Sequence, residues 1–444
     1  QGSSSMYLGV FYNQGTVKDL VSIWVANRNQ SLSTDATCTF TEEGNLTLKD
    51  GQGGSIIWQI GPGNLLQLRD SGNLILERNS NASSTVVWQS FEHPGNTWMP
   101  TGSIGPDQKL VSWRNASDPR PGPYSLIMGN NSNFILLYND SIQYWDSGPW
   151  NGAIFSNVPE MTANYIFNFS FSNITGFTWS VYPEYGEKYN NSRFVMQEDG
   201  LVSESSYDPS QDSWDIFWTK PNQHCDVIRY CGQNSICNNN VDPHCSCPTG
   251  FKSVDQTEWG NQIFQKGCER ASPLDCPLNQ NTNSTDGFLV FNKTSFSGWA
   301  STFSQIVDDE GTCKSRCLSD CFCDGFYFLQ AVGSARGNCS LFSGSIYDGT
   351  VDSTSQGSYY IRISAEYLNS QAPPSESKGK FRSGLIAAIA VGGAAVIGVL
   401  CLAMILIILE RRRRRREGAS SFNGSSPVDR RSHRLQKNPR NLKD

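Results

Sequence analysis

The sequence predicts a mainly β chain whose later part consists of small disulfide-rich modules followed by one membrane-spanning helix. Three observations carry this. Residues 1–220 show short alternating strands broken by Gly and Asn, with almost no helical periodicity. Twelve of the fourteen cysteines fall between residues 225 and 339, and residues 384–409 form one uncharged apolar run.

Strands are expected at SIWVANR (22–28), NLTLKD (45–50), SIIWQI (55–60), LLQLRD (65–70), NLILERN (73–79) and TVVWQSF (85–91). Gly-Asn-Leu recurs at 44–46, 63–65 and 72–74. A turn followed by a half-buried strand, repeated, signals a β-prism or barrel rather than a packed α/β enzyme. The abundant Trp and Tyr suit sugar stacking, but aromatic core is the simpler role for most of them.

The apolar run GLIAAIAVGGAAVIGVLCLAMILIIL has 26 residues. As a helix it would span roughly 39 Å against a hydrocarbon core of about 30 Å. Arg411 to Arg416 follow, which by the positive-inside rule places the C-terminal side in the cytoplasm and residues 1–383 outside. This is the topology of a single-pass type I protein of the plasma membrane. Residues 410–444 carry a net +8, leaving −14 on the rest of a chain whose total is −6. A basic tail suits anionic inner-leaflet lipid, and an acidic exterior argues against nucleic acid. The tail has too few apolar residues to bury a core and is expected to be disordered. The chain opens QGSSSMYLGVFY, without an export signal, which reads as truncation at the front. Ala390, Ala394 and Gly398 form a small-residue face in the span that suits helix pairing into a homo- or heterodimer.

Outside the cell, disulfides are the default for cysteine and zinc is disfavoured. Only His93, His224 and His244 precede the span, and none is near the CKSRCLSDCFC cluster at 313–323. One group comprises Cys225, Cys231, Cys237, Cys245, Cys247 and Cys268, within a segment too short to fold on an apolar core alone. The second comprises Cys276, Cys313, Cys317, Cys321, Cys323 and Cys339. DDEGTCKSRCLSD reads as a short helix with acids in its first turn, which places Cys313 and Cys317 on one face. CDGFYFL and CSLF read as strands, and SYYIRISAEYL (358–368) as the last strand. Cys38 is left over and is expected to be buried as a small apolar side chain, or bonded to a cysteine preceding this sequence. Twelve Asn-x-Ser/Thr acceptor sites precede the span: Asn29, Asn45, Asn81, Asn115, Asn130, Asn139, Asn168, Asn173, Asn190, Asn283, Asn292 and Asn338. Asn423 lies on the cytoplasmic side and should stay bare.

The first cysteine group, with its Cys-x-Cys and following PTGF, is similar to the epidermal-growth-factor-like module. That resemblance implies the pairs Cys225–Cys237, Cys231–Cys245 and Cys247–Cys268. TKPNQH stands before Cys225 in place of calcium ligands, so no calcium is expected. The second group resembles the PAN/Apple module, which implies Cys313–Cys339 and Cys317–Cys323 and leaves Cys276–Cys321. WVANR (24–28), DSGNLIL (70–76), WQSFEHPGNTWMP (88–100), SWRNASDPRPGPYS (112–125) and YWDSGPWNGAIFS (144–156) look like the plant S-domain, or G-type lectin, receptor-like kinases of the S-locus type.

The resemblance implies bulb-type lectin β-prism domains ahead of the two disulfide modules. The division it suggests is a bulb-type lectin domain at 1–108, an S-locus glycoprotein or second lectin-like domain at 109–220, the EGF-like module at 221–270 and a PAN/Apple domain at 271–368. A linker at 369–383, the span at 384–409 and the tail at 410–444 follow. Mannose-binding members carry Gln-x-Asp-x-Asn-x-Val-x-Tyr, but the corresponding residues here are Arg69, Ser71, Asn73, Ile75 and Glu77. A second match has Thr41, Glu43, Asn45, Thr47 and Lys49. Mannose binding is therefore not expected at either strand, and the asparagines read as turn residues.

Family members continue into a serine/threonine kinase, whose phosphate loop, catalytic loop and metal site have no counterpart after Arg416. No catalytic residue, cofactor or metal site is expected in this chain. The expected function is ligand recognition by a cell-surface receptor, of the pollen-recognition or defence type. The ligand would be a small secreted protein or a glycan, with signalling through a partner or action as a decoy. The rival readings are a fragment of a receptor kinase and a carbohydrate-binding lectin.

Overall fold

A computed structural model describes residues 5–12, 21–51, 54–81, 83–161, 166–275, 285–298, 300–352 and 354–371, together with Met404 and Ile407. The expected span at 384–409 and the basic tail lie outside these residues, apart from those two positions. Among the described residues no helix is long and apolar enough to cross a membrane. Residues 1–371 form one compact unit.

The first body is built from three small antiparallel sheets. They comprise Gly9–Phe11 with Ser22–Val25; Thr37–Phe40, Leu46–Lys49 and Ile56–Ile60; and Leu65–Leu68, Leu74–Asn79 and Ser84–Gln89. Each sheet contributes one tryptophan to the centre. Trp24, Trp58 and Trp88 meet with ring centroids 5.3 to 5.7 Å apart, in tilted and edge-on geometry that aromatic quadrupoles favour. The recurring Gly-Asn pair sits at the turns, where Gly44 and Gly72 hold positive φ.

Cys38 corrects an expectation. It is free and exposed, as are all four residues of Thr37–Phe40. That strand is at the edge of its sheet, and the core beside it is filled by Leu46 and Leu48 of the central strand. Strand periodicity shows which faces alternate, but not whether anything covers an edge.

The second body also encloses its core with three antiparallel sheets. One is a meander of Lys109–Asn115, Asp118–Gly129, Asn133–Tyr138 and Ile142–Asp146. Another orders Ser103–Ile104, Gly176–Val181 and Phe167–Ser172; the third orders Ser213–Lys220, Val202–Asp208, Ser192–Met196 and Thr97–Trp98. Residues 97–104 therefore leave the first body and complete two sheets of the second. The shared core is dense in aromatics, with Tyr124, Phe177 and Trp179 essentially without exposure.

Contacts through Arg28 and around Trp214 help join the bodies. Arg28 donates from Nε to the Pro119 carbonyl (2.8 Å) and from one terminal nitrogen to the carbonyls of Val111 and Ser112 (2.9 Å each). Arg193 lies over the Trp214 ring at 4.0 Å, and Tyr12 of the first body meets Trp214 edge-on at 4.8 Å.

In the C-terminal part, Ile236–Cys237 pairs antiparallel with Cys245–Ser246 and parallel with Gly349–Thr350, so the two cysteine-rich modules share a sheet. A five-stranded sheet runs in the order Gly287–Asn292, Ser358–Ile363, Gly325–Gln330, Gly337–Ser343, Ala300–Val307. Against it packs the helix Glu310–Ser319, capped by the Asp309 carboxylate, which accepts from the Thr312 amide at 2.7 Å. Cys313 and Cys317 are fully buried on its inner face. The last strand ends at Ile363, short of the expected 368, and the chain turns into the helix Ala365–Gln371. Ser364 ends it: its hydroxyl accepts from the Tyr367 amide at 3.2 Å, an N-cap that outcompetes the sheet ladder.

Candidate ligand-binding site

On the strand Leu74–Asn79 and the turn before it, the groups placed to meet a sugar are already engaged. Arg69 pairs with Glu77 at 3.0 Å, and Glu77 also accepts from the Ser84 hydroxyl at 2.9 Å. Asn73 donates to Gln89 Oε1 at 2.8 Å and accepts from Ser90 Oγ (3.1 Å) and the Phe91 amide (3.2 Å). Asn73 is thus a tether between neighbouring segments rather than a simple turn residue. Ser71 accepts from the Asn73 amide at 3.4 Å, and Ile75 points into the core at 2% exposure. At the second match, Thr41 accepts from the Asn45 amide at 3.2 Å, and buried Thr47 donates to Gln59 at 3.2 Å. Glu43 and Lys49 are exposed. The Asn73→Ala variant is expected to lose about 1–3 kcal/mol of stability by orphaning these buried partners. Thermal unfolding should show this, while mannose-array signal stays at background in both parent and variant.

A cleft of about 960 Å³ opens between the two bodies. One wall carries Trp24, Trp58, Trp88 and His93, the other Lys109, Ser125, Asn139 and Asp140, with Arg28 also lining it. His93 is exposed and stacks on Trp88 with centroids 5.6 Å apart and planes 10° from parallel. Its backbone carbonyl accepts from the Trp24 indole at 3.0 Å, which ties the ledge to the tryptophan centre. Across the cleft, Lys109 Nζ and Asp140 Oδ2 are 2.7 Å apart, and Asp140 also accepts from Ser125 Oγ at 2.9 Å. The Lys109 contact, opposed by partial burial, holds the Asp140 carboxyl below its usual range. Burial pulls the Arg28 guanidinium down to about 10, still cationic at neutral pH. The sequence reading left the ligand site unassigned, because residues from 24 to 140 converge here only through the docking of two bodies. WVANR and WQSFEHPGNTWMP, two of the segments that carry the family resemblance, supply Trp24, Arg28, Trp88 and His93 to it.

The cysteines sit in the modules below. The structure joins Cys225–Cys237, Cys231–Cys245, Cys247–Cys268, Cys313–Cys339 and Cys317–Cys323. Cys321 is disulfide-bonded, and Cys276 lies outside the described residues. Cys231, Cys237 and Cys245 come close enough to suggest metal ligation, but each is oxidised in a disulfide. Asn29, Asn81, Asn130, Asn139, Asn168, Asn173, Asn190, Asn292 and Asn338 are exposed, and Asn45 and Asn115 half-buried; Asn283 is outside the described residues.

Comparison with known families places three matches along the chain. Residues 21–117 match the D-mannose binding lectin family, residues 145–255 the S-locus glycoprotein domain, and residues 276–349 the PAN-like domain. An S-locus-specific glycoprotein of Brassica oleracea var. alboglabra is 30% identical over 382 residues, covering 81% of this chain and 84% of that protein. The chain belongs to the S-locus glycoprotein family. A G-type lectin S-receptor-like serine/threonine-protein kinase of Arabidopsis thaliana is 34% identical over 426 residues, covering 89% of this chain and 48% of the kinase. A second such Arabidopsis kinase is 29% identical over 420 residues, again covering 48% of its length. This S-locus-type chain thus spans about half the length of the receptor kinases it matches. Mainly β lectin, S-locus and PAN-like domains with disulfides account for the matched region, and no kinase domain is among its matches.

Proposed function

We propose that this S-locus-type chain is the recognition portion of a single-pass plasma-membrane receptor that binds a small extracellular ligand in the cleft between its two β bodies. The observation that carries this is the contrast between the two candidate surfaces. Arg69, Asn73 and Glu77 on the mannose-type strand spend their polar groups on neighbouring protein atoms, whereas the cleft combines an exposed His93 stacked on Trp88 with Arg28 and the Lys109–Asp140 pair around a larger volume. The bound state would be read by a kinase that a partner supplies, or the chain would compete as a decoy; pollen recognition and defence are the settings that the family resemblance implies. A second reading, a portion of a longer receptor serine/threonine kinase, is favoured by the half-length coverage of the Arabidopsis kinases.

A chimera joining the chain to a receptor-kinase catalytic domain, expressed in leaf cells and exposed to extracellular fluid, separates the surfaces. The proposal expects the kinase response to fall at least fivefold with His93→Ala and to persist with Arg69→Ala on the lectin strand. Loss with Arg69→Ala and persistence with His93→Ala would move recognition to the lectin strand.

A further inference from the structure

The cleft has a charge character opposite to that of the exterior around it. Among its lining side chains Arg28 and Lys109 are cationic and Asp140 is the one carboxylate. Arg28 spends its hydrogen bonds on neutral carbonyls, and no ion pair joins it to a carboxylate among the described residues. The residues ahead of the apolar run sum to −14, so a net-positive recess in that field favours an anion.

Two further features narrow the ligand. His93, exposed in the cleft lining and held parallel to Trp88, supplies an aromatic ring that suits stacking against the face of a second ring. In the same lining, Gln59 accepts from Thr47 through Oε1, and its amide NH2 makes no hydrogen bond among the described residues. That leaves a donor for a hydroxyl, with Asp140 opposite as an acceptor. Asn29 and Asn139, both exposed and both in acceptor tripeptides, stand on opposite walls. Glycans there would narrow the mouth to a small or slender ligand and obstruct a folded protein.

We infer that the cleft binds an acidic saccharide of the uronate class: a pyranose ring over His93, its carboxylate toward Lys109 and Arg28, its hydroxyls toward Gln59 and Asp140. This rests on the cleft being the recognition site, and the test separates the two claims.

The full chain, expressed through a plant secretory pathway and purified in detergent, is titrated with trigalacturonate, its methyl ester, maltotriose and benzoate. Binding is followed by calorimetry and tryptophan fluorescence. The expected result is saturable binding of trigalacturonate, at least tenfold tighter than the ester or maltotriose and weakened by salt. His93→Ala and Lys109→Gln should each reduce affinity at least fivefold while melting at the parent temperature. Equal binding of the neutral trimer, or preferential binding of benzoate, that still depends on His93 overturns the saccharide-acid class and keeps the cleft as the recognition site. Absence of saturable binding by all four probes overturns the inference, and the chimera response then decides the cleft reading by itself. Binding indifferent to both substitutions contradicts both claims.

Discussion

Replacing Arg362 by leucine is expected to unfold the C-terminal cysteine-rich body even with its disulfides closed. Arg362 is 1% exposed and pairs through Nε with Asp286, itself fully buried, at 2.9 Å. Its other nitrogens donate to the carbonyls of Asp320 (2.9 Å), Cys323 (3.2 Å) and Asp275 (2.7 Å). One side chain therefore ties the last strand to the end of the helix, to the loop carrying Cys321 and Cys323, and to the segment entering the module. Leucine would remove the cation paired directly with the buried Asp286 carboxylate, at a cost of about 3–5 kcal/mol. Limited proteolysis should open residues 285–364, and the melting temperature of this body should drop by roughly 12 °C or more, at about 4–8 °C per kcal/mol. Arg362→Leu combined with Asp286→Leu should recover part of the loss, because an apolar pair removes the buried charge. A single variant that melts with the parent would show that the disulfides alone hold the module.

The second large effect concerns Glu204, in the middle of the strand Val202–Asp208, all of whose first five residues are buried. Glu204 has 0% exposure, lies opposite Phe194 and Trp218, and neither carboxylate oxygen has a hydrogen-bond partner among the described residues. Burial pushes its carboxyl up to about 9 from an ordinary 4.5. The folded state thus keeps a proton that the unfolded chain releases above its own pKa. The contribution of Glu204 to stability is full below about 4.5 and is lost as pH rises from there through about 9. By pH 7 the loss amounts to about 3 kcal/mol, at 1.36 kcal/mol per pKa unit. Glu204→Gln should melt like the parent near pH 4.5 and markedly higher at pH 7. Glu198, Asp226 and Asp348 are also pushed up by burial, so the variant keeps a shallower slope of the same sign. Parallel pH profiles for parent and variant would contradict this assignment.

Much of the architecture is legible in the sequence because it follows from local periodicity. The strands carrying Trp58 and Trp88 are set by alternation and Gly-Asn turns, and the helix Glu310–Ser319 by an Asp cap and cysteines four apart. What escapes is decided by tertiary surroundings. The exposure of Cys38 depends on its strand being an edge. The helix Ala365–Gln371 depends on Ser364 capping where a β-rich pattern invites continuation. Asn73 becomes a tether only because Gln89, Ser90 and Phe91 come beside it. Glu204 reads as a solvent-facing residue of an alternating strand until both neighbouring strands and a second layer cover it. The cleft is the extreme case, since its ledge and its charged wall come from different bodies.

The most direct measurement is a disulfide map of the chain recovered from the cell surface. Intact cells are labelled with a membrane-impermeant biotin reagent, free thiols are alkylated, and the captured protein is digested without reduction for mass spectrometry. The account predicts capture of the chain with Cys225–Cys237, Cys231–Cys245, Cys247–Cys268, Cys313–Cys339 and Cys317–Cys323 linked, Cys321 joined to Cys276, and Cys38 alkylated. Failure to label the chain on intact cells, or alkylation throughout the cysteines from 225 to 339, would contradict it.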